Sequence, residues 1–267
     1  MTPKLLGILN ITEDSFSDGG RFLVPEVALA HARALAKEAD GIDIGAASSR
    51  PDAISVPPDV EIARMAPVVE AMQRESVPLS IDTFAPEVQR WALAQNVAYL
   101  NDVRGFPDPA LYPALAASPA KLIVMHSVEG LGPATRVRIP AEDLYGRIVD
   151  FFERRIAALG KAGVAGERLI LDPGMGLFLG SHPDASFTVL RRIADLRSAF
   201  GLPVLISVSR KSFLRRLADR DVAGAGALTL AAEIHAVREG ADYIRTHDPR
   251  ALNDALAVFR ALEGNKA

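Results

Sequence analysis

Polar side chains able to bind a ligand stand at the ends of short apolar segments throughout the chain. Segment 5–10 shows the pattern, because four aliphatic residues and a glycine precede the amide of Asn10, and a polar, glycine-ended loop follows it. Carboxylates accept hydrogen bonds from amino-heteroaromatic groups, and a guanidinium binds phosphate through a planar fork. A ligand with a donor-rich ring and an anionic end would suit the set, whose other members are Asp43, Asp82, Asn101, Asp102, His126, Asp172, Ser209, Arg245 and His247.

Two basic loops near the end of the sequence are candidates for the anionic end of that ligand. They are 209–212 (SRKS) and 245–247 (RTH). Ser212 would begin a helix, where backbone N–H groups and the helix dipole attract an anion. The amide oxygen of Asn10 could hold a hard cation, with phosphate oxygens supplying its remaining ligands. The carboxylates of Asp82 and Asp172 would pair with amino-pyrimidine donors.

Structural explanations compete with these roles. An Asp at a strand end often caps the next helix or closes a turn, and Asp102 is the best candidate for such a cap. His126 is more readily explained as a packed, hydrogen-bonded histidine than as a catalyst. A ligand explains Asn10, Asp82 and Asp172 as a convergent set better than capping does.

Lys211 also fits a different chemistry, because a lysine in an aldolase-type barrel can form a Schiff base with a carbonyl substrate. Its neighbour Arg210 would help to depress the lysine pKa by charge. No His-x-His or His/Glu spacing indicates a tightly bound zinc.

The polar residues can act together only if the fold brings the segment ends to one place. Short apolar runs without polar alternation predict strands buried on both faces, and runs with 3.6-residue spacing predict helices. The predicted strands are 5–10, 41–45, 77–83, 97–102, 121–126, 168–174, 203–209 and 241–247. The predicted helices are 24–39, 58–74, one from about 86, 109–117, 141–161, 186–199, 211–217, 225–239 and 251–262.

Eight strands alternating with helices, without a linker, predict an α/β protein with a single (β/α)8 TIM barrel spanning residues 1–267. In such a barrel the carboxyl ends of the strands form one rim, where catalytic groups lie. A doubly wound open sheet would instead call for a G-x-G-x-x-G segment after the first strand, and the sequence has none.

Composition excludes several classes of function. A net charge of −3 gives no basic surface for nucleic acid or anionic membrane, and the lack of cysteine excludes disulfides, thiolate metal sites and a cysteine nucleophile. The sequence shows neither a signal peptide nor an apolar stretch of membrane-spanning length. We therefore expect a cytoplasmic protein that acts on small molecules.

Together these segments resemble the dihydropteroate synthases of the pterin-binding barrel family. The matching stretches run from the first predicted strand to the last: 7–20 (GILNITEDSFSDGG), 43–45 (DIG), 48–51 (SSRP), 80–83 (SIDT), 101–103 (NDV), 172–174 (DPG), 209–212 (SRKS) and 245–247 (RTH). The first stretch and SRKS are highly specific, whereas DPG alone would be weak.

The resemblance implies a Mg²⁺-dependent condensation of 6-hydroxymethyl-7,8-dihydropterin diphosphate with p-aminobenzoate, giving dihydropteroate and diphosphate. It also implies a homodimer. Diphosphate would leave first, and a carboxylate would stabilise the pterin cation that the aromatic amine then attacks. Asp82, Lys211 and Arg245 would be the catalytic residues.

The resemblance also assigns roles to the remaining residues. Asp82, Asn101, Asp172 and Lys211 would form the pterin pocket, to which we add Asp43 as a substrate-binding residue, while Asn10, Arg245 and His247 would form the diphosphate and magnesium site. Ser212 would bind the aminobenzoate carboxylate. Two mobile loops would cover the substrates, the first containing Phe16 and the second containing Ser49, Arg50 and Pro51.

Two loops depart from the usual family pattern. After Asp172-Pro173-Gly174 the family usually has Gly-Phe-Gly-Lys, but residues 174–180 read GMGLFLG, which is about two residues longer and has no lysine. The second loop has Ala46-Ala47 where Gly-Glu is common. Both departures resemble the sulfonamide-resistant Sul-type synthases, although Arg50 stands where that branch usually has histidine. We expect Phe178 and its neighbours to reshape the aminobenzoate pocket so that sulfonamides bind poorly.

Two other functions compete with the synthase. A methyltetrahydrofolate-dependent methyltransferase would share Asp82, Asn101 and Asp172, but it needs no diphosphate site, so Arg245 and His247 argue against it. A non-catalytic barrel that binds a pterin is the third candidate, and the near-complete set of site residues argues against that.

Overall fold

The computed structural model describes residues 2–12, 22–48, 54–128, 137, 139–182 and 184–264. Within them every strand is followed by at least one helix. The strands are β1 (Lys4–Asn10), β2 (Gly41–Gly45), β3 (Leu79–Asp82), β4 (Tyr99–Asp102), β5 (Lys121–Met125), β6 (Leu169–Asp172), β7 (Leu205–Ile206) and β8 (Tyr243–Thr246). The helices are α1 (Pro25–Ala36), α2 (Pro58–Arg74), α3 (Pro86–Ala94), α4 (Tyr112–Ala117), α5 (Ala141–Lys161), α6 (Ala185–Leu190), α7 (Ile193–Phe200), α8 (Ser212–Leu217), α9 (Gly226–Arg238) and α10 (Pro249–Glu263).

The strands form one parallel sheet in the order β6-β5-β4-β3-β2-β1-β8-β7. Its two ends also meet, because Leu171 of β6 makes a parallel bridge with Val204, just before β7, and donates its N–H to Pro203 at 2.8 Å. The sheet therefore closes on itself with helices outside it. The predicted (β/α)8 barrel is confirmed.

Strand register sets the height of the polar residues on the rim. Asn10 is level with Gly45, Gly45 with Asp82, and Asp82 with Asn101, so one ring of the barrel carries three of the predicted site residues. Side chains alternate between the two faces of a strand. Arg245 therefore points to the same side of β8 as Tyr243, two residues below it.

An apolar layer fills the barrel interior below the polar rim. Its buried members are Leu6, Tyr99, Ile123, Ile170, Leu205 and Tyr243. The rings of Tyr99 and Tyr243 meet edge to face with centroids 6.1 Å apart. Because this layer closes the floor of the barrel, a ligand can approach the polar ring only from the carboxyl ends of the strands.

Proline fixes the start of several helices. It occupies the first turn of α1, α2, α3 and α10, where its missing N–H costs nothing and its φ angle already suits a helix. Among the described residues, no helix is both long enough and apolar enough to span a bilayer.

Two predicted segments differ in detail from the structure. The helix predicted over 186–199 is two helices, α6 and α7, because the backbone leaves the helical region at Arg192, where φ is −124°. The strand predicted over 203–209 is shorter in the structure, because only Leu205–Ile206 forms a regular strand and Val204 adds the single bridge to Leu171. Pro203 has no N–H for the ladder, and residues after Val208 turn towards the basic loop.

Candidate active site

The guanidinium of Arg245 is the centre of the polar rim. Its Nε donates to Asp43, and its Nη2 donates to Asp82 at 2.7 Å. Asp43 is fully buried, and the side chain of Arg245 is only 14% exposed. Burial works to lower the arginine pKa, but the carboxylates of Asp43 and Asp82 outweigh it and hold that pKa above its usual value. The ion pairs therefore fix a permanent positive charge at one point of the rim.

Asp82 and Asp172 face the same space from β3 and β6. Burial raises the pKa of Asp82 to about 7, against the pull of Arg245. Burial likewise raises the pKa of Asp172 to about 6, although the backbone N–H of Gly174 donates to its Oδ1 at 2.8 Å and Lys211 favours the charged form. Two buried carboxyls with raised pKa values, both under the influence of Arg245, mark this end of the barrel as a candidate site.

Lys211 enters the same space from the loop before α8. Burial and the charge of Arg245 lower its pKa to about 8, and Asp172 and Asp82 oppose this shift. Its ammonium lies 5.2 Å from the ring centroid of Phe178. Phe178 belongs to a short 3₁₀ turn, Gly176–Leu179, so the turn after β6 directly borders the lysine.

Asn101 and Asp102 are neighbours on β4, but their side chains differ in their hydrogen bonding. Asn101 is buried, and its Oδ1 has no hydrogen-bond partner among the described residues, which suits a group that meets a ligand. Asp102 instead accepts hydrogen bonds from the backbone N–H groups of Arg104 and Phe106 at 2.8 and 2.9 Å, and from Gln89 at 2.9 Å. The interpretation of Asp102 as a loop cap is confirmed.

His126 is a packed histidine, as expected. Its Nδ1 lies 3.2 Å from the carbonyl oxygen of Pro173, and its ring meets Phe151 edge to face at 5.2 Å. Burial lowers its pKa to about 4, so it stays neutral at physiological pH.

The two basic loops meet at His247. Ser209 Oγ lies 2.9 Å from His247 Nδ1 and accepts the backbone N–H of the same histidine at 3.2 Å. Burial lowers the pKa of His247 well below its usual value, and so do the nearby charges of Arg210, Arg245 and Lys211. A neutral imidazole thus sits among cationic groups at this end of the site.

The structure brings most of the predicted residues to one rim and leaves some outside its description. The described ones are Asn10, Asp43, Asp82, Asn101, Asp172, Phe178, Lys211, Ser212, Arg245 and His247. Ser212 is the first residue of α8, next to Lys211. Phe16, Ser49, Arg50 and Pro51 lie outside the described residues, so their roles stay predictions.

The described side chains alone provide few ligands for a metal ion. Within the described part of the chain, no group of three or more His, Asp or Glu residues is placed to hold one. The donor set fits an ion that arrives with phosphate oxygens and takes the amide oxygen of Asn10 as one ligand, since Mg²⁺ commonly keeps waters and substrate phosphates around it.

Sequence reasoning missed two buried acids just outside the barrel, Glu61 of α2 and Glu233 of α9. They are 2% and 1% exposed, and burial raises the pKa of both, that of Glu233 to about 8. The available signal was an acidic residue on the apolar face of a helix, since Glu61 shares its buried face with Met65, Val68 and Met72.

Comparison with known proteins identifies the family to which the chain belongs. The model of the family described as pterin binding enzyme matches residues 6–247. The type-2 dihydropteroate synthase of Escherichia coli is 57% identical over 97% of this chain and 96% of its own length. The chain belongs to the dihydropteroate synthases of the pterin-binding enzyme family.

Two further comparisons support this membership. The type-3 dihydropteroate synthase of Escherichia coli is 50% identical over 97% of this chain and 99% of its own. The dihydropteroate synthase of Xanthomonas albilineans, solved in complex with 7,8-dihydropteroate, is 34% identical, has a TM-score of 0.83, and is matched over 98% of this chain and 94% of its own. The predicted dihydropteroate synthase family and its likeness to the numbered Sul-type synthases are confirmed.

Proposed function

We propose that the chain condenses 6-hydroxymethyl-7,8-dihydropterin diphosphate with p-aminobenzoate, forming dihydropteroate and diphosphate in folate biosynthesis. The observation that carries the proposal is the clamp of Arg245 between Asp43 and Asp82. In support of the proposal, the clamp offers a fixed cation for a leaving diphosphate and carboxylates for the donors of a pterin ring. The relative solved with 7,8-dihydropteroate binds the product of this reaction.

The pterin end of the site uses the buried polar groups of β4 and β6. The carboxylate of Asp172 accepts hydrogen bonds from the amino-pyrimidine edge, and the unpartnered Oδ1 of Asn101 accepts another. Lys211, with its ammonium near Asp172, donates to the carbonyl and ring nitrogen of the pterin. These groups make the site selective for the pterin ring. A heteroaromatic ring without the matching hydrogen-bond donors would leave the buried protein groups unpaired, which costs binding free energy.

The diphosphate end uses Arg245 and His247 as donors. Asn10 would hold Mg²⁺ through its amide oxygen, and the ion would neutralise part of the diphosphate charge. The magnesium site and the homodimer both rest on the family resemblance.

The reaction needs charge stabilisation more than a nucleophile from the protein. The bond between the pterin methylene carbon and the diphosphate oxygen breaks, and the oxygen keeps the electron pair, which Arg245 stabilises. The methylene cation lies near the carboxylate of Asp82. The amine of p-aminobenzoate then forms the new C–N bond and loses one proton to solvent. Ser212 binds the aminobenzoate carboxylate, and Phe178 borders its ring.

Diphosphate release tests the proposal. Purified protein with Mg²⁺ and the pterin diphosphate should release diphosphate and form dihydropteroate only when p-aminobenzoate is present. Asp172→Asn should abolish the reaction, whereas Asp108→Asn, at an exposed turn, should leave it unchanged. Turnover with a methyltetrahydrofolate and a corrinoid protein, without release of diphosphate, would instead support the methyltransferase.

A further inference from the structure

A small cavity lies between the end of β5 and helix α5, and the proposed function uses none of the residues that line it. Residues 126–128 line one side of the cavity, and Arg147, Asp150, Phe151 and Arg154 of α5 line the other. Its volume is about 260 Å³. Pockets for drug-sized ligands usually measure about 300–1,000 Å³, so this one suits a smaller molecule with a single ring.

The cavity lies behind the barrel wall as seen from the polar rim. Met125, the last residue of β5, packs against Phe178 at the rim. The next residue, His126, places its ring against Phe151 of α5, with the ring centroids 5.2 Å apart. Successive side chains of an extended chain point to opposite faces. A molecule in the cavity would therefore not compete for the space on the inner side of the barrel.

The hydroxyl group of Ser127 indicates that the cavity receives a ligand. Ser127 is only 4% exposed, and its Oγ has no hydrogen-bond partner among the described residues. Nearly all buried polar groups in proteins are paired, because an unpaired one loses its hydration without compensation. Since Ser127 lines the cavity, a molecule bound there can supply the missing partner.

Two guanidinium groups and one carboxylate line the exposed side of the cavity. Arg147, Asp150 and Arg154 are spaced three and four residues apart on α5, so they lie on one face of the helix. All three are exposed, and none of them takes part in the salt bridges of the described residues. Positive charges outnumber negative ones here by one, which favours a monoanion.

The rest of the lining is apolar or uncharged. Phe151 and Val128 are half-buried and offer an aromatic ring and an aliphatic side chain. His126 adds no charge, because burial lowers its pKa to about 4. Inorganic phosphate would satisfy the guanidinium groups but would leave the apolar lining without a contact. A ligand with an apolar ring and one anionic group matches the whole cavity.

We propose that this cavity is a second binding site, which takes a small aromatic monocarboxylate. The ligand carboxylate accepts hydrogen bonds from the hydroxyl of Ser127 and from the guanidinium groups of Arg147 and Arg154, which bind carboxylates through a planar fork. The ligand ring packs against Phe151. Asp150 weakens binding by repulsion. The site does not depend on the proposed function.

The wall of the cavity also supports the turn after β6. The backbone N–H of His126 donates to the carbonyl oxygen of Asp172 at 2.8 Å, and that of Val128 donates to the carbonyl oxygen of Phe178 at 3.0 Å. A ligand against residues 126–128 is therefore one backbone hydrogen bond away from the turn that borders Lys211. We expect the amide signals of Asp172 and Phe178 to respond when the cavity is filled.

Amide NMR of nitrogen-labelled protein titrated with benzoate tests the site. Benzoate also resembles p-aminobenzoate, so the two sites are followed by different signals. Those of residues 126–128 and 147–154 report the cavity, and that of Ser212 reports the proposed substrate site. We expect a Kd on the order of 1 mM at the cavity, because so small a ligand makes few contacts. Cyclohexylammonium, which has a ring and a positive charge, should cause no shifts at the cavity, and inorganic phosphate should bind there more weakly than benzoate.

Variants of the lining identify the groups that bind the carboxylate. The double variant of Arg147→Gln with Arg154→Gln should weaken benzoate binding at the cavity about tenfold, and Ser127→Ala should weaken it about threefold. Asp150→Asn should strengthen it about threefold, because a repulsive charge is removed. Lys161→Gln, at the exposed end of α5, removes the same charge away from the cavity and should leave binding unchanged.

The stability of Ser127→Ala separates a ligand-binding serine from a structural one. We expect its free energy of unfolding, measured in urea, not to fall, because the hydroxyl has no partner to lose. No shifts at residues 126–128 up to about 20 mM benzoate, equal binding of phosphate and benzoate, or unchanged affinity in the arginine double variant would overturn the proposal. If Ser127→Ala does not fold, the exposed Arg147, Asp150 and Arg154 variants still decide. An enzyme without synthase activity that shows these shifts would overturn the proposed function and leave this site in place.

Discussion

At the scale of the residue, Arg245 holds the site together by geometry as well as by charge. Its Nε and Nη2 reach two different strands, since Asp43 belongs to β2 and Asp82 to β3. A lysine ammonium is a compact charge without this planar fork, so it cannot reproduce both contacts in one orientation. Losing either contact would leave one carboxylate, of Asp43 or of Asp82, without its cationic partner.

We therefore expect Arg245→Lys to reduce kcat/KM for the pterin diphosphate on the order of a hundredfold, the value of one or two charge-assisted hydrogen bonds. Steady-state kinetics measures this, and circular dichroism checks that the variant is folded. Arg74→Lys, at the exposed end of α2, is the matched control and should be neutral. A loss below threefold in Arg245→Lys would contradict the clamp.

The pKa of Asp82 predicts a pH dependence of catalysis. Burial raises that pKa to about 7, so the carboxylate that stabilises the pterin cation forms only as the pH rises through that value. We expect kcat/KM to increase with pH to a plateau, with a midpoint near 7. Asp82→Asn should be strongly impaired and should lack this midpoint; an unshifted midpoint in the variant would assign it to another group.

At the scale of the element, the turn after β6 shows how tightly the loops are built. Gly174 has φ of +76°, and a Cβ there would lie 2.4 Å from the carbonyl oxygen of His126. Gly201 also has a positive φ, of +62°, but no atom lies within 4 Å of its added Cβ. Alanine would adopt an unfavourable positive φ at both positions, but it would meet a steric clash only at Gly174. Comparing the two variants therefore separates the free-energy cost of the backbone conformation from that of the clash.

We expect Gly174→Ala to destabilise the fold by about 2–4 kcal/mol and Gly201→Ala by about 1 kcal/mol. Urea unfolding of both variants measures the difference. Equal losses would show that the loop moves away from the new methyl group at little cost.

The same turn contains Phe178, which we expect to weaken the binding of sulfonamides. Phe178 is packed against Val103 and Met125 and borders Lys211, so it stands beside the space assigned to aminobenzoate. We expect deletion of Leu177 and Phe178 to lower the inhibition constant of sulfamethoxazole by at least tenfold. Phe178→Leu should lower it less, and Phe187→Leu, in α6, should not change it. Unchanged inhibition in the deletion variant that still turns over would rule out this role for the turn.

Sequence patterns predicted the elements well and their long-range contacts poorly. Apolar runs predict strands because a strand covered on both faces needs no polar residue, and this placed Asp82, Asn101 and Asp172 at strand ends. The pairing of Arg245 with Asp43 joins residues 202 apart in sequence and depends on barrel closure. The contact between Ser209 and His247 depends likewise on the fold, because it joins two loops that are 38 residues apart in sequence.

At the scale of the whole molecule, the buried acids make the stability of the fold depend on pH. Burial raises the pKa values of Asp82, Asp172 and Glu233 above those of the unfolded chain. Between the unfolded and folded pKa values, the folded state keeps protons that the unfolded state has released. Stability therefore falls as the pH rises through this interval.

Glu233 should contribute most to this slope, because its pKa rises from 4.5 to about 8. At most about 5 kcal/mol of stability would be lost over that interval, at 1.4 kcal/mol for each pKa unit. Glu233→Gln has no proton to lose, so we expect its free energy of unfolding to change less between pH 5 and pH 8 than that of the wild type. Urea unfolding across about this pH range measures both slopes, and Glu153→Gln, at an exposed position, should follow the wild type. Parallel curves for wild type and Glu233→Gln would mean that Glu233 ionises at its ordinary pKa in the folded protein.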